Sequence, residues 1–345
     1  MFRRRAPRHG LTATVPAPHA ARPAAPPAAS GAPGAGRDPG GPPPAGLDVS
    51  TAHPARVWNY WLGGRDYFAA DRAAGEQISR EFPHLAQTAR AERAFLVRAV
   101  RFLAGPARIR QFLDIGAGLP AGGNTHEIAQ RIAPDTGIVY ADNDPAVLVH
   151  ARALLQTPML ASTPEGTVSY VDADLRDVTA VLAGSARTLD LQRPVALIML
   201  GVLGHLDDHG AARSITSQLM DALPSGSYLA IADGVAGTGP VSQAQQRYND
   251  AAALPYHLRR PDELASFFDG LDLIEPGVVP CPRWKPDGSG HAASAQEEAA
   301  AYCGVARKRL SARNRRLGGV LRNDPAPTRM IGGCLPGSPA PTLGS

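Results

Sequence analysis

Five short apolar runs, at residues 109–114, 137–142, 168–172, 195–200 and 227–233, alternate with stretches of helical spacing, and four of the five close on an aspartate. This alternation is the pattern of a parallel sheet whose strands are joined by crossover helices. It confines the chain to the α/β class.

Helix starts between the runs are legible. Asn124 and Glu127 have the spacing of a capping box ahead of "EIAQRIA", and Asp144-Pro145 predicts an N-cap with proline at the first helical position of "AVLVHARALL". Before the first run, "ARVWNYWLGGRDYFAADRAAGEQISREF" and "PHLAQTARAERAFLVRAVRFLA" carry apolar residues at three- and four-residue steps around a Gly63-Gly64 break, which predicts helices. After the fifth run, "GPVSQAQQRYNDAA" and "PDELASFFDG" read as helices. "LDLIEPGVV" and "AAAYCGVARK" read as two more strands that pair as an antiparallel edge. The expected organisation is a tail over 1–50, a helical cap over 51–106, an α/β domain over 107–308 and a second tail over 309–345.

Composition separates these parts. Residues 1–50 hold eleven prolines among Ala, Gly and Arg, too little apolar surface to offset chain entropy, so disorder is expected there and in the arginine-rich C-terminal tail. The formal charge of +4 resides in the tails, because residues 51–306 carry 21 basic and 28 acidic side chains. An acidic body lacks the usual footprint of a nucleic-acid binder, which makes nucleic acid a poor partner and a small molecule the expected one. No apolar run of membrane-spanning length or signal-peptide pattern is present, so a soluble cytoplasmic protein without a membrane partner is expected. Cys281, Cys303 and Cys334 lack CxxC spacing, which argues against a zinc site or a disulfide framework, and Cys303 is expected in the core.

In an open parallel sheet, ligands bind outside the carboxyl ends of the strands. Here those ends are Asp114, Asp142, Asp172 or Asp174, and Asp233. Such a rim repels phosphate and suits a cationic ligand with a ribose; S-adenosylmethionine has an ammonium, a sulfonium and a ribose diol. Gly116-Ala117-Gly118-Leu119-Pro120-Ala121 also fits the dinucleotide fingerprint G-x-G-x-x-[GA], which leaves an NAD(P)-dependent oxidoreductase as an alternative. Asp114 is an unhelpful neighbour for a pyrophosphate on that turn. A non-catalytic S-adenosylmethionine-binding regulatory module is a further alternative.

"LDIGAGLP", "VYADNDPAVL" and "VDADLRD" resemble, in this order, the first three motifs of class I S-adenosylmethionine-dependent methyltransferases. "ARVWNYWLGGRDYFAADR", "LDIGAGLPAGGNTHEIAQ", "YADNDPAVLVHARALL", "DALPSGSYLAIAD" and "FFDGLDLIEPGVV" resemble a bacterial S-adenosyl methyltransferase family once catalogued as a domain of unknown function. The resemblance covers residues 51–308. It implies a Rossmann-like, seven-stranded, mostly parallel sheet with an antiparallel edge strand and an N-terminal helical cap, and methyl transfer from S-adenosylmethionine.

It further implies that Gly116, Ala117 and Gly118 let the backbone approach the methionine part, and that Asp114 stabilises its ammonium or holds the loop. Asp142 takes the ribose hydroxyls, Asn143 flanks the adenine, Asp174 takes its amino group and Leu175 lies beside the ring. The departure from the general pattern is Pro120 at the third glycine. Tyr60, Gly63, Gly64 and Arg65 are candidates for a lid over the cofactor. His205 and His257 are weak candidates for a catalytic base, since methyl transfer relies on positioning and needs a base only where the nucleophile must lose a proton. The acceptor is not legible.

Overall fold

The computed structural model describes residues 48–81, 84–145, 147–149, 166–236, 249, 255–286 and 301–309. Most of both expected tails, all but Asn249 of the helix expected over 239–252, and most of the helix expected after Pro145 lie outside these residues.

Three helices, α1 (Pro54–Trp61), α2 (Ala69–Glu81) and α3 (His84–Ala104), precede the sheet. The sheet strands β1 (Gln111–Ile115), β2 (Gly137–Asp142), β3 (Val168–Asp172), β4 (Ala196–Leu200) and β5 (Tyr228–Gly234) fall within two residues of the apolar runs that predict them. Between and after them come α4 (Thr125–Ile132), α5 (Val178–Ser185), α6 (His209–Asp221), α7 (Pro261–Ser266), β6 (Asp272–Leu273), β7 (Val279–Pro280) and β8 (Ala301–Arg307). The capping box of Asn124 and Glu127 is formed at the start of α4.

The strand order is β3-β2-β1-β4-β5-β8-β6, with β7 also paired to β8. β1 to β5 are mutually parallel, and β8 runs antiparallel to β5, β6 and β7. The antiparallel pairing expected at this edge is therefore present, with β8 one position in and β6 and β7 outside it. "LDLIEPGVV" divides at Pro276-Gly277, where proline has no N–H for the ladder and Gly277 takes a φ of +87°. Eight strands thus occupy seven positions.

Both faces of the sheet are covered. Alternate residues of β1, such as Phe112 and Leu113, point to opposite faces: Phe112 joins Phe95, Leu103, Ile138 and Trp284 under α3, while Leu113 joins Val139, Leu197, Leu219 and Leu229 against α5, α6 and α7. Trp284 is fully buried and meets Phe95 and Phe102 of α3 edge to face, with ring centroids 5.3 and 5.9 Å away. Cys303 is buried in the same layer, as expected, and so is Cys281. α1 and α2 close a smaller cluster around Val57, Trp61 and Ala89 on the first turns of α3. α3 thus belongs to two layers, its start under the first helices and its end on the sheet.

The topology fixes where a ligand can sit. After β1 the chain moves outward to β2 and β3, then crosses back to β4 on the other side of β1, which opens a crevice above the carboxyl ends of β1 and β4. Among the described residues no helix is long and apolar enough to cross a membrane.

Candidate active site

The register of β1 on β2 sets Asp114 beside Tyr140 and Ile115 beside Ala141, so the turn leaving β1 lies level with Asp142 at the end of β2. Gly116 and Gly118 adopt φ values of +70° and +62°, the left-handed region that a β-carbon disfavours. At Gly116 space is short as well, because a β-carbon there would lie 2.6 Å from Val202 Cγ2. The turn that leaves β1 is tied to the end of β2 twice. Gly116 N–H donates to Ala141 O over 2.8 Å, and Gly118 N–H donates to Asp142 Oδ2 over 3.0 Å.

Asp142 also accepts the Asp144 N–H at 2.9 Å, and burial raises its proton affinity above the carboxylate norm. Asp114 is buried and accepts from the Thr125 hydroxyl at 2.6 Å. Burial pushes its pKa up to about 6, against the opposing pull of Thr125 and of the Arg93 guanidinium. Arg93, on α3, donates to Gly122 O and Asn124 Oδ1, both at 2.7 Å, and so fixes the far end of the glycine turn. Sequence reasoning missed Arg93 because it reads as an ordinary exposed position of an amphipathic helix.

Next along the rim, Asn143 Nδ2 donates to Asp174 Oδ2 over 3.1 Å, joining the turns after β2 and β3. The sequence leaves Asp172, Asp174 and Asp177 interchangeable. Geometry separates them: Asp172 is exposed, Asp177 caps α5 by accepting the Ala180 N–H, and Asp174 holds Asn143 and Arg176. Leu175 is buried beside them.

Of the four lid candidates, Tyr60 packs against Tyr67 with ring centroids 5.1 Å apart, on the side of α2. Gly63 has open space around its α-carbon, Arg65 is exposed, and Gly64 is packed so tightly on Asn59 that a β-carbon would overlap its amide. Asn59 itself makes the contact with the glycine turn. Its Nδ2 donates to Pro120 O over 3.0 Å and its Oδ1 accepts the Asp66 N–H over 2.9 Å. A polar residue in the apolar spacing of α1 is the signal that marks it. A second link joins His53 Nδ1 to Asp144 Oδ2 at 3.1 Å.

At the ends of β4 and β5, Asp233 is buried with a pKa pushed up to about 6 by desolvation, and it accepts from Gly204 N, Gly234 N and the Tyr256 hydroxyl. His205 sits in the short turn after β4, its ring 5.1 Å edge-on from Tyr256 and its Nδ1 3.1 Å from Pro255 O. A carbonyl only accepts, so that contact requires the Nδ1–H tautomer. Burial lowers the proton affinity of His205. The His257 N–H donates to Gly204 O, which ties its backbone to the turn, and the residue is exposed. Glu92 of α3 approaches the same corner: its Oε2 lies 3.4 Å from where a β-carbon on Gly201 would stand. Among the described residues no group of His, Cys, Asp and Glu has the arrangement of a metal site.

The rim is thus an acidic crescent whose glycine turn already gives the Gly118 N–H to a carboxylate. A pyrophosphate would need such donors free and the carboxylates absent. A ribose diol and an ammonium need the reverse.

A family model described as S-adenosyl methyltransferase matches residues 41–309. A DUF574 family protein from Streptomyces avermitilis MA-4680 is 44% identical over 76% of this chain and 99% of its own, with a TM-score of 0.71. A protein from Thermobifida fusca YX, assigned as a methyltransferase, is 38% identical over 78% of this chain and 99% of its own, with a TM-score of 0.70. No curated protein matches the chain.

Proposed function

Because the chain belongs to the S-adenosyl methyltransferase family, whose members take the methyl group from S-adenosylmethionine, we propose that the crescent from Asp114 to Asp174 holds this donor and that the acceptor is a small molecule. The observation that carries the reading is the Asp142–Gly118 bond, which makes the acid at the end of β2 and the glycine turn after β1 one unit. A carboxylate has about four lone-pair sites, so two backbone bonds leave Asp142 room for both ribose hydroxyls. Gly116, Ala117 and Gly118 present bare backbone to the methionine part, with Asp114 placing the turn through Thr125 and offering negative charge nearby. Asn143, Asp174 and Leu175 flank the adenine. When bound, the donor supplies a methyl carbon already activated by sulfonium.

The same reading assigns residues 51–106 as a cap over the donor and 107–308 as the catalytic domain. Asn59 and Arg93 support it, since both reach from the first helices onto the glycine turn. A small acceptor is supported by the acidic balance of residues 51–306, with 21 basic and 28 acidic side chains, since nucleic-acid binders are usually basic.

Asp142→Ala tests the donor site. Losing two hydrogen bonds to a charged acceptor, at about 1.5–3 kcal/mol each, weakens S-adenosylhomocysteine by roughly 100-fold or more in titration calorimetry. Affinity within about threefold of wild type would refute the assignment, since such a change is under 1 kcal/mol.

A further inference from the structure

Glu92 lies on the apolar stripe of α3, in step with Ala89, Phe95, Leu96, Ala99 and Leu103, where a charged residue is otherwise out of place. It is 4% exposed, and among the described residues its Oε1 has no hydrogen-bond partner. Buried carboxyl oxygens without a partner are costly and rare unless a ligand or ion completes them. No contact among the described residues explains this one.

Its surroundings define what completes it. Gly201 follows β4 with a φ of +62° and no side chain, which keeps the approach of Glu92 to the carboxyl end of the sheet open. Beyond it stands Asp233, held in place by Gly204 N–H, Gly234 N–H and the Tyr256 hydroxyl. Among the described residues Tyr256 and Cys281 also lie close to Glu92, and both are neutral at neutral pH. The nearby cation is Arg259, near Asp233, whose Nη1 and Nη2 already donate to Leu203 O and Leu206 O. When Glu92 is ionised, two carboxylates face one guanidinium and this corner is one positive charge short.

Resting on the reading of the rim as the donor site, we infer that Glu92 and Asp233 form the acceptor subsite, that the acceptor is an aliphatic amine entering as its ammonium, and that Glu92 is its base. The ammonium supplies the missing charge and the missing hydrogen-bond donor together. Glu92 takes one N–H proton, freeing the nitrogen lone pair. That pair forms the new C–N bond as the C–S⁺ bond breaks, its electrons remaining on sulfur to give the neutral thioether. The methylated ammonium leaves, and Glu92 returns its proton to water. Burial and the neighbouring charge of Asp233 hold Glu92 well above the usual carboxylate range, the direction required of a group that takes a proton from an ammonium.

The test incubates the whole chain with S-adenosylmethionine carrying a deuterated methyl group and a metabolite extract of Streptomyces avermitilis, source of the 44% identical relative. Mass spectrometry locates the label. Label on an amine nitrogen is expected. Label on oxygen, carbon or sulfur overturns the inference, as does absence of labelled product when calorimetry shows the donor bound. Failure of wild-type protein to bind the donor overturns the parent reading first. With the amine in hand, Glu92→Gln is expected to lower kcat about 100-fold or more, to leave S-adenosylhomocysteine affinity unchanged, and to abolish the acidic limb of the kcat–pH profile. An unchanged kcat, or a surviving limb, refutes the role of Glu92.

Discussion

The buried ion pair between Arg56 of α1 and Asp71 of α2 gives the account of the first helices a quantitative test. Arg56 Nε donates to Asp71 Oδ2 over 2.8 Å, and the two side chains are 3% and 0% exposed. Asp71 also accepts the His53 and Phe68 N–H groups, each at 2.8 Å, so one carboxylate closes three donors from three places in the chain. Asp71→Ala leaves a guanidinium buried without its counter-charge and two backbone donors unpaired. Breaking a buried pair from one side costs about 3–5 kcal/mol. For a domain of this size that lowers Tm by roughly 6–20 °C.

Arg56→Met should cost less. It leaves Asp71 with two backbone donors, although Asp48 O and Thr51 O lose the guanidinium. In the double variant no buried charge remains, so its loss should fall short of the sum of the single losses by about 1–3 kcal/mol. Urea unfolding of the four proteins measures the cycle. A loss under about 1 kcal/mol for Asp71→Ala, the range of exposed pairs, would refute the reasoning, and so would strict additivity.

Other perturbations address the rim. The Asp114 pKa is raised in the folded protein to about 6 from 3.8, so the folded state binds more protons and stability falls as pH rises between these values. Asp114→Asn should flatten that part of the stability–pH curve in urea melts at pH 4 to 7; an unaltered slope contradicts the burial argument. Gly116→Ala combines a left-handed φ with overlap on Val202 and should cost about 2–5 kcal/mol, whereas Gly118→Ala, with open space around it, should cost about 1–2 kcal/mol. Equal losses in thermal melts would show that the Val202 contact is unimportant.

How much of this was legible depended on whether the signal was local. The five parallel strands are short apolar runs bounded by turn residues, and each lies where its run predicts. Asn124 and Glu127 declare their helix start through spacing alone. β6 and β7 were read as one strand because the apolar residues on either side of Pro276 masked its effect on the ladder. The acids at the strand ends were visible as a set, but a sequence cannot say that Asp177 caps a helix while Asp174 faces Asn143, because both are polar and close together. Asn59, Arg93 and Glu92 went unread for another reason. Their roles come from α3 and α1 packing against strands far along the chain, and helical periodicity reports only which face is buried. A carboxylate within the buried stripe was the available clue for Glu92.

The central claim is that the acidic rim holds S-adenosylmethionine. It is tested most directly by titrating the whole chain with S-adenosylhomocysteine and, separately, with NAD and NADP in a calorimeter. The account predicts one site for S-adenosylhomocysteine and no heat from either dinucleotide. Binding of NAD or NADP with none of S-adenosylhomocysteine would contradict it.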